Sequence, residues 1–261
     1  MKWTNEEIEY LKKNFGKIKT IDIAIYLKRG YDAVHKKAQS LKLKGDKGIN
    51  RKYTINHNYF NFTNIENSYW AGFIAADGCV TNNYIKIMLS IRDLKILKQL
   101  KKDLQYTGPI YISKKRKRCS LEFRSSNIVK DLKTKWNITE RKSLTLKPPK
   151  IKLKKSNFLA YVKGYIDGDG SIYREKNTKY LRVSIIGTFE FLNWIKEKIN
   201  IKCSNVKKYK NIYKFRYSGK MAEKLYKKLY KIETFKLSRK WRFDLTGYNP
   251  HDKIDVGAVT V

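Results

Sequence analysis

Two aspartates sit in matching company. The stretch Tyr69-Trp-Ala-Gly-Phe-Ile-Ala-Ala-Asp77-Gly78 is answered by Tyr161-Val-Lys-Gly-Tyr-Ile-Asp-Gly-Asp169-Gly170. Each acid closes an apolar helical stretch, where the negative end of the helix dipole disfavours a carboxylate. Gly72 and Ala76 lie four apart on one helix, as do Gly164 and Gly168 on the other. Small residues at that spacing form a flat stripe that lets two backbones approach closely. Crossing the helices on these stripes makes a pseudo-twofold interface and brings Asp77 and Asp169 to neighbouring helix ends. Two adjacent acids also repel each other. A bound Mg²⁺ relieves both penalties, and hard oxygen ligands suit it. Paired carboxylates with metal and backbone phosphates are a setting for in-line phosphodiester hydrolysis, one acid for each strand of a duplex. A lone Asp-Gly reads as a turn that closes a helix; a matched pair inside a duplication argues for chemistry.

The duplication sets what must position these acids. Leu121-Glu-Phe-Arg-Ser-Ser126 resembles Tyr213-Lys-Phe-Arg-Tyr-Ser218, and an amphipathic helix follows each, with Ile128, Leu132 and Trp136 in one and Met221, Leu225 and Leu229 in the other. Ile138-Thr-Glu-Arg-Lys142 is then matched with Ile232-Glu-Thr-Phe-Lys236. The copies are 92 residues apart at the aspartates and 94 at these lysines. Each copy reads helix, two strands, helix, two strands, helix. Ile85, Ile87 and Leu89 alternate with Tyr84, Lys86 and Met88; Leu181, Val183 and Ile185 alternate with Tyr180, Arg182 and Ser184. Period two with one apolar face means half-buried antiparallel strands. Residues 143–157, with Pro148-Pro149, connect the copies.

Composition narrows the partner. The 261 residues hold 59 Lys+Arg against 23 Asp+Glu, a net charge of +36. Self-repulsion at that charge destabilises a compact fold, and a polyanion relieves it. The rival source of the lysines is codon bias, since Asn, Ile and Tyr are abundant too. With 41% hydrophobic and 13% aromatic residues the chain is not a disordered basic tail. Lys interrupts every apolar run, so no membrane span is expected, and the N-terminus has no apolar signal core. Cys79, Cys119 and Cys203 are isolated, which fits a reducing compartment and no disulfide framework. His35, His57 and His251 form no metal-ligand pattern. Gly168-Asp-Gly170 lacks the third glycine and preceding strand of a dinucleotide site.

Residues 1–45 read as a three-helix unit. Thr4 caps a first helix carrying Ile8, Leu11 and Phe15. Ile21, Ala24, Ile25 and Leu27 are expected inward on a short second helix. Ala33, Val34, Ala38 and Leu41 stripe a third, whose other faces hold His35, Lys36, Lys37 and Gln39. A short helix, a turn and a basic polar helix make the helix-turn-helix (HTH) pattern, similar to Myb-like or resolvase-like modules appended to phage DNA enzymes. The alternative is a trihelical bundle that binds protein. Residues 46–64 show no period and read as a linker. Either Arg51, Lys52, Tyr53 and His57 reach DNA, or the segment is a plain tether.

The two openings, WAGFIAADG (70–78) and VKGYIDGDG (162–170), resemble the motif of the LAGLIDADG homing endonucleases in their single-chain, two-motif form, over roughly residues 65–245. The resemblance implies an α+β fold: two pseudo-symmetric αββαββα halves, 65–150 and 151–248, forming a DNA-binding saddle, with a tail at 249–261. It implies metal held at Asp77, Asp169, Ala76 and Gly168, as two or three Mg²⁺ ions that Mn²⁺ can replace. It gives Lys142 and Lys236 as basic residues beside the scissile phosphates. The acid usual at the sixth motif position is Ala75 in the first copy and Asp167 in the second; that position is not normally a metal ligand. Lys163, unusual at its place, is expected to point away from the helix interface.

The polar strand faces should read duplex DNA, since the major groove accepts a two-stranded ribbon. Candidates are Cys79, Thr81, Asn83, Tyr84, Lys86, Glu122 and Arg124 in the first half, and Ser171, Tyr173, Glu175, Tyr180, Arg182, Lys214 and Arg216 in the second. Arg116, in the basic loop 114–118, is expected to clamp phosphate. The implied function is a monomeric, metal-dependent, sequence-specific double-strand DNA endonuclease that promotes mobility of its own intron or gene. It needs no membrane and no small-molecule substrate. Two rivals use the same fold: an intron RNA maturase, and a cleavage-dead DNA-binding regulator. The expected setting is bacterial or phage-infected cytoplasm ahead of an organelle.

Overall fold

The computed structural model describes residues 2–44, 52–243 and 245. The chain divides into two compact units, Met1–Thr54 and Ile55–Val261.

In the first unit α1 (Asn5–Asn14), α2 (Thr20–Tyr26) and α3 (Tyr31–Ser40) surround a small core of Leu11, Ile23, Ala24, Val34 and Ala38. Thr4 and Glu7 close a reciprocal capping box on α1. Two expectations shift by a helical step. Ile21 and Ile25 are exposed, at 46% and 69%, and Thr20 and Ile23 are buried in their place. Ala33 is exposed as well. The turn after α2 is anchored by Arg29, which pairs with Glu7 at 2.9 Å and stacks on Trp3.

The second unit repeats one αββαββα plan. The first half runs α4 (Ile65–Asp77), β1 (Gly78–Val80), β2 (Tyr84–Ser90), α5 (Leu94–Asp103), β3 (Ile110–Ser113), β4 (Arg118–Arg124) and α6 (Ser126–Thr134). A short α7 (Lys142–Thr145) lies in the connector. The second half runs α8 (Lys155–Asp169), β5 (Gly170–Arg174), β6 (Leu181–Gly187), α9 (Phe189–Ile199), β7 (Lys207–Tyr209), β8 (Ile212–Ser218) and α10 (Lys220–Tyr230). Each half has a four-stranded antiparallel sheet, ordered β1-β2-β4-β3 and β5-β6-β8-β7.

The alternation read in the sequence holds. Ile85, Ile87 and Leu181, Val183, Ile185 are buried under the helices, and their strand neighbours form the opposite faces. The ladders also fix the true equivalence of the halves. Gly78, Ile87 and Leu121 stand in one rung, and Gly170, Ile185 and Phe215 in its counterpart. Leu121 therefore answers Phe215, two residues on from the match by sequence similarity. A two-residue slide keeps every side chain on its face.

The segment expected to be linker is partly core. Tyr59 and Phe60 are buried, and Trp136 Nε1 donates to the Phe60 carbonyl at 2.9 Å. Asn67 of α4 donates to the carbonyls of Tyr59 and Phe62. Residues 55–64 thus pack against the first half. Residues 46–51 of that segment and the expected tail at 249–261 lie outside the described residues.

Candidate active site

Helices α4 and α8 are the centre of the second unit. Asn67 through Ala76 and Asn157 through Asp167 are buried without interruption. A helix that is buried all round must cross its neighbours closely, and two glycines permit it. A Cβ on Gly72 would lie 2.0 Å from the Tyr161 carbonyl oxygen, and one on Gly164 would lie 2.0 Å from that of Tyr69. The contacts are symmetric, since Tyr161 stands to Tyr69 as Gly164 stands to Gly72. Further along, a Cβ on Gly168 would lie 2.2 Å from Ala76 Cβ and 3.4 Å from the Asp77 carboxyl carbon. The expected interface residues Gly72, Ala76, Gly164 and Gly168 therefore all lie at the crossing.

Asp77 and Asp169 end their helices on the same side of it. Burial raises both carboxyl pKa values, and the Asp169 charge raises Asp77 further. Lys142 and Lys240 oppose that shift at both acids. Among the described residues no side chain donates a hydrogen bond to either carboxylate, so their oxygens stay available for a cation.

The lysines correct one expectation. Lys142 Nζ donates to the Ala76 carbonyl. Its expected counterpart, Lys236, lies over the Tyr230 ring at 3.6 Å. The counterpart by position is Lys240, whose Nζ donates to the carbonyl of Gly168 at 2.9 Å and also to those of Ile166, Asp167 and Gly170. Burial lowers the Lys142 pKa and brings Lys240 to about 8. The three protons of the ammonium are shared among these four carbonyl oxygens, and an amine, with two protons and a lone pair, would serve them less well. The segment matched to Lys142 by similarity is displaced by four residues. The sequence does hold the correct cue, since Arg141-Lys142 and Arg239-Lys240 are the same dipeptide. Of the four residues expected around metal, the carbonyls of Ala76 and Gly168 are thus engaged by lysines, and the two carboxylates remain open.

Asp167 explains how the second lysine is delivered. Its buried carboxylate accepts from Tyr69 Oη at 2.7 Å, Trp241 Nε1 at 2.6 Å and the Leu237 amide at 3.1 Å. Arg239 adds a paired contact to Asp93 of the first half, at 3.0 Å. Lys163, expected to avoid the helix interface, is fully buried; its Nζ donates to the Ile232 carbonyl at 2.6 Å and lies over Trp241. The chain after α10 is therefore strapped to α8 on both sides of Lys240.

The strand faces carry the other expected residues. In the first sheet Cys79, Lys86 and Glu122 are cross-strand neighbours, as are Tyr84 and Arg124. Lys86 pairs with Glu122 at 2.8 Å, and Tyr84 Oη and Ser120 Oγ also donate to it. Those bonds, Lys86 first, hold Glu122 below the usual carboxylate range. Arg124 donates to Asn83 and stacks over Tyr84, and Thr81 closes the turn onto the Tyr84 carbonyl. Arg116 is exposed in the β3–β4 turn. In the second sheet Ser171, Ser184 and Arg216 share one rung, and Tyr173, Arg182 and Ser218 the next. Arg182 pairs with Glu175 at 2.6 Å. Lys214 shares this face with Arg216 and lies over Tyr209, and Tyr180 is exposed at the hairpin. In the separate N-terminal unit His35, Lys36 and Gln39 are exposed on α3, while Lys37 leans toward Trp3.

Residues 64–137 match the family model of the LAGLIDADG-like domain. No curated protein sequence matches the chain. Among solved structures, the LAGLIDADG meganuclease I-AabMI bound to uncleaved DNA is similar over 66% of this chain and 85% of its own, at 15% identity and TM-score 0.45. The I-LtrWI LAGLIDADG homing endonuclease bound to target DNA is similar over 70% and 87%, at 15% identity and TM-score 0.45. Full-length DUF199/WhiA from Thermatoga maritima is similar over 68% and 60%, at 16% identity and TM-score 0.45. With its first half matched by that domain and its second half repeating the same plan around a shared helix crossing, the chain has a doubled LAGLIDADG-like fold.

Proposed function

We propose that the protein is a site-specific, Mg²⁺-dependent endonuclease that makes a double-strand break in duplex DNA. The observation that carries this reading is the acid pair. Two carboxylates from symmetry-related helix ends face one space, Asp77 exposed and Asp169 half-buried, both raised in pKa and flanked by Lys142 and Lys240. Asp77 and Asp169 would hold the divalent ions, which supply Lewis-acid stabilisation of phosphate charge and an activated water when bound. The donor set fits hard cations that keep waters and take phosphate oxygens as further ligands. One chain supplies both acids, so a monomer serves both strands.

Around that centre the chain positions DNA. The two sheet faces present Lys86, Glu122 and Arg124 on one side and Arg182, Lys214 and Arg216 on the other. Charged and amide groups of this kind read base edges in a major groove, and the net charge of +36 favours the backbone. Lys142 and Lys240 are fixed cations beside the acids, placed to offset charge that builds on a phosphate. The N-terminal unit adds further DNA contacts through His35, Lys36 and Gln39 and raises affinity by linkage. The biological output is mobility of the element that encodes it.

The test is selection on a plasmid library with randomised inserts, incubated with protein and Mg²⁺ or Mn²⁺, followed by sequencing of the cut ends. A recurrent long cleavage site is expected, lost in Asp77→Asn and in Asp169→Asn. Tight duplex binding with no cut ends in either metal would make the protein a regulator, and selective tight binding of intron RNA without cutting would make it a maturase.

A further inference from the structure

The second half carries a lysine cluster at the far end of α8 from the acids. Lys155 opens α8, Lys198 lies in the last turn of α9, and Lys224, Lys227, Lys228 and Lys231 line α10 and the residue beyond it. Together they line a depression of about 580 Å³ that has no carboxylate in its lining among the described residues. At 1.5 Å per residue, α8 separates Lys155 from Asp169 by about 21 Å. Helices α9 and α10 pack on the buried face of the second sheet, so the cluster opens away from the face that carries Arg182 and Arg216.

Lysine is abundant in both halves, so what marks this cluster is the lack of a carboxylate among its lining residues. Helices α6 and α10 stand at the same place in their halves, with Ser125 and Gly219 as their N-caps. In the first half Asp131 pairs with Lys135 at 3.0 Å, which neutralises that face. In the second half none of the lining lysines has an ion-pair partner among the described residues, and Lys228 Nζ donates to the Ile199 carbonyl at 3.2 Å. Burial lowers the Lys228 pKa, and the charges of Lys155 and Lys224 lower it further. An anion seated in the depression removes that repulsion.

We propose that this cluster is a second DNA site, which holds the phosphate backbone of a duplex segment separate from the one lying across the strand faces. The side chains present select among nucleic acids. Single strands are held by aromatic platforms on which bases stack, and the depression is lined by none. Double-stranded RNA is recognised through 2′-hydroxyls as well as phosphates, and Asn200 is the one uncharged polar side chain in the lining. Lysine ammoniums act as point charges toward phosphate, so the site is indifferent to sequence. One molecule would then bridge two duplexes. The proposal takes duplex DNA as partner from the reading above but does not depend on cleavage.

A bridging assay in EDTA tests it, so that a failed nuclease reading and a failed bridging reading give separate results. Protein is loaded on a bead-bound duplex, and retention of a second, fluorescent duplex is measured. The variant Lys198→Gln, Lys224→Gln, Lys227→Gln and Lys231→Gln alters only exposed side chains. It should bind the bead duplex yet retain the second about tenfold less, with the salt slope of retention reduced by about 3–4. The control Lys95→Gln, Lys98→Gln, Lys102→Gln and Lys130→Gln removes the same charge from exposed positions of the first half and should bridge like the parent. Three results overturn the proposal: no bridging by the parent, bridging undiminished in the cluster variant, or equal loss in both variants. An RNA hairpin that displaces the second duplex at far lower concentration than unlabelled duplex overturns the assignment to DNA.

Discussion

On one rung of the first sheet Lys86 faces Glu122, and the pair is closed by Tyr84 and Ser120. The equivalent rung of the second sheet holds Ser184 and Arg216. Among the described residues, the buried Ser184 Oγ and the Nε of Arg182 beside it have no hydrogen-bond partner. At the helix crossing the halves repeat each other's contacts: Gly72 against Tyr161, Gly164 against Tyr69, Asp77 beside Asp169, Lys142 answering Lys240. Symmetry is kept where two helices must touch and two acids must meet, and it is released where each sheet faces outward. The first rung is neutralised by its own ion pair, while its counterpart carries Arg216 opposite a serine. Such faces suit two unlike half-sites.

That contrast can be broken at several levels. The largest effect is expected at the symmetric centre. Asp77→Asn and Asp169→Asn should each lower plasmid linearisation by about 10²–10³-fold or more, read on the selected substrate in Mg²⁺. Unequal losses of top- and bottom-strand cutting would show that the acids are not equivalent.

The helix crossing comes next. Gly72→Ala and Gly164→Ala place a methyl against a main-chain oxygen, which no side-chain rotation relieves. Each should cost about 1–3 kcal/mol or more in urea unfolding, and by symmetry the two losses should be alike.

The lysines should part company. Lys240→Ala leaves four buried carbonyls without their donor and should cost about 1–3 kcal/mol. Lys142→Ala, with one carbonyl contact, should cost clearly less stability while still reducing cleavage. Equal stability losses would erase the asymmetry drawn between these two positions.

The smallest effect concerns the acids without metal. Burial raises both carboxyl pKa values, so the folded state holds protons that the unfolded chain has released. Stability is therefore highest below the ordinary carboxylate range and falls as pH rises through the raised folded values. In EDTA at neutral pH, Asp77→Asn should raise the Tm slightly, with the gain vanishing as pH falls toward 4. Added Mg²⁺ should stabilise the parent and leave the Asp77→Asn, Asp169→Asn double variant unmoved.

Much of the centre could be read from residue types, because the motif helices are defined by spacing alone. Alternation likewise placed Ile85, Ile87, Val183 and Ile185 inside. Lys240 escaped because local similarity drew Ile232–Lys236 onto Ile138–Lys142 and outweighed the shared Arg-Lys dipeptide at 141–142 and 239–240; the contacts of Asp167 and Arg239 account for the four-residue displacement. Tyr59 and Phe60 escaped for a related reason. They lack periodicity and are buried by contacts with Asn67 and Trp136, which lie elsewhere in the sequence. In the N-terminal unit Ile21 and Ile25 fit a helical stripe as well as Thr20 and Ile23 do, and only the direction of the core decides between them.

The crossing of α4 and α8 is set by main chain against main chain. No rotamer tunes it, so substitutions on the outward strands leave the spacing of the cutting groups untouched. For protein engineering this separates two tasks that often interfere. The reading surfaces can be redrawn one half at a time while the shears beneath them stay in register.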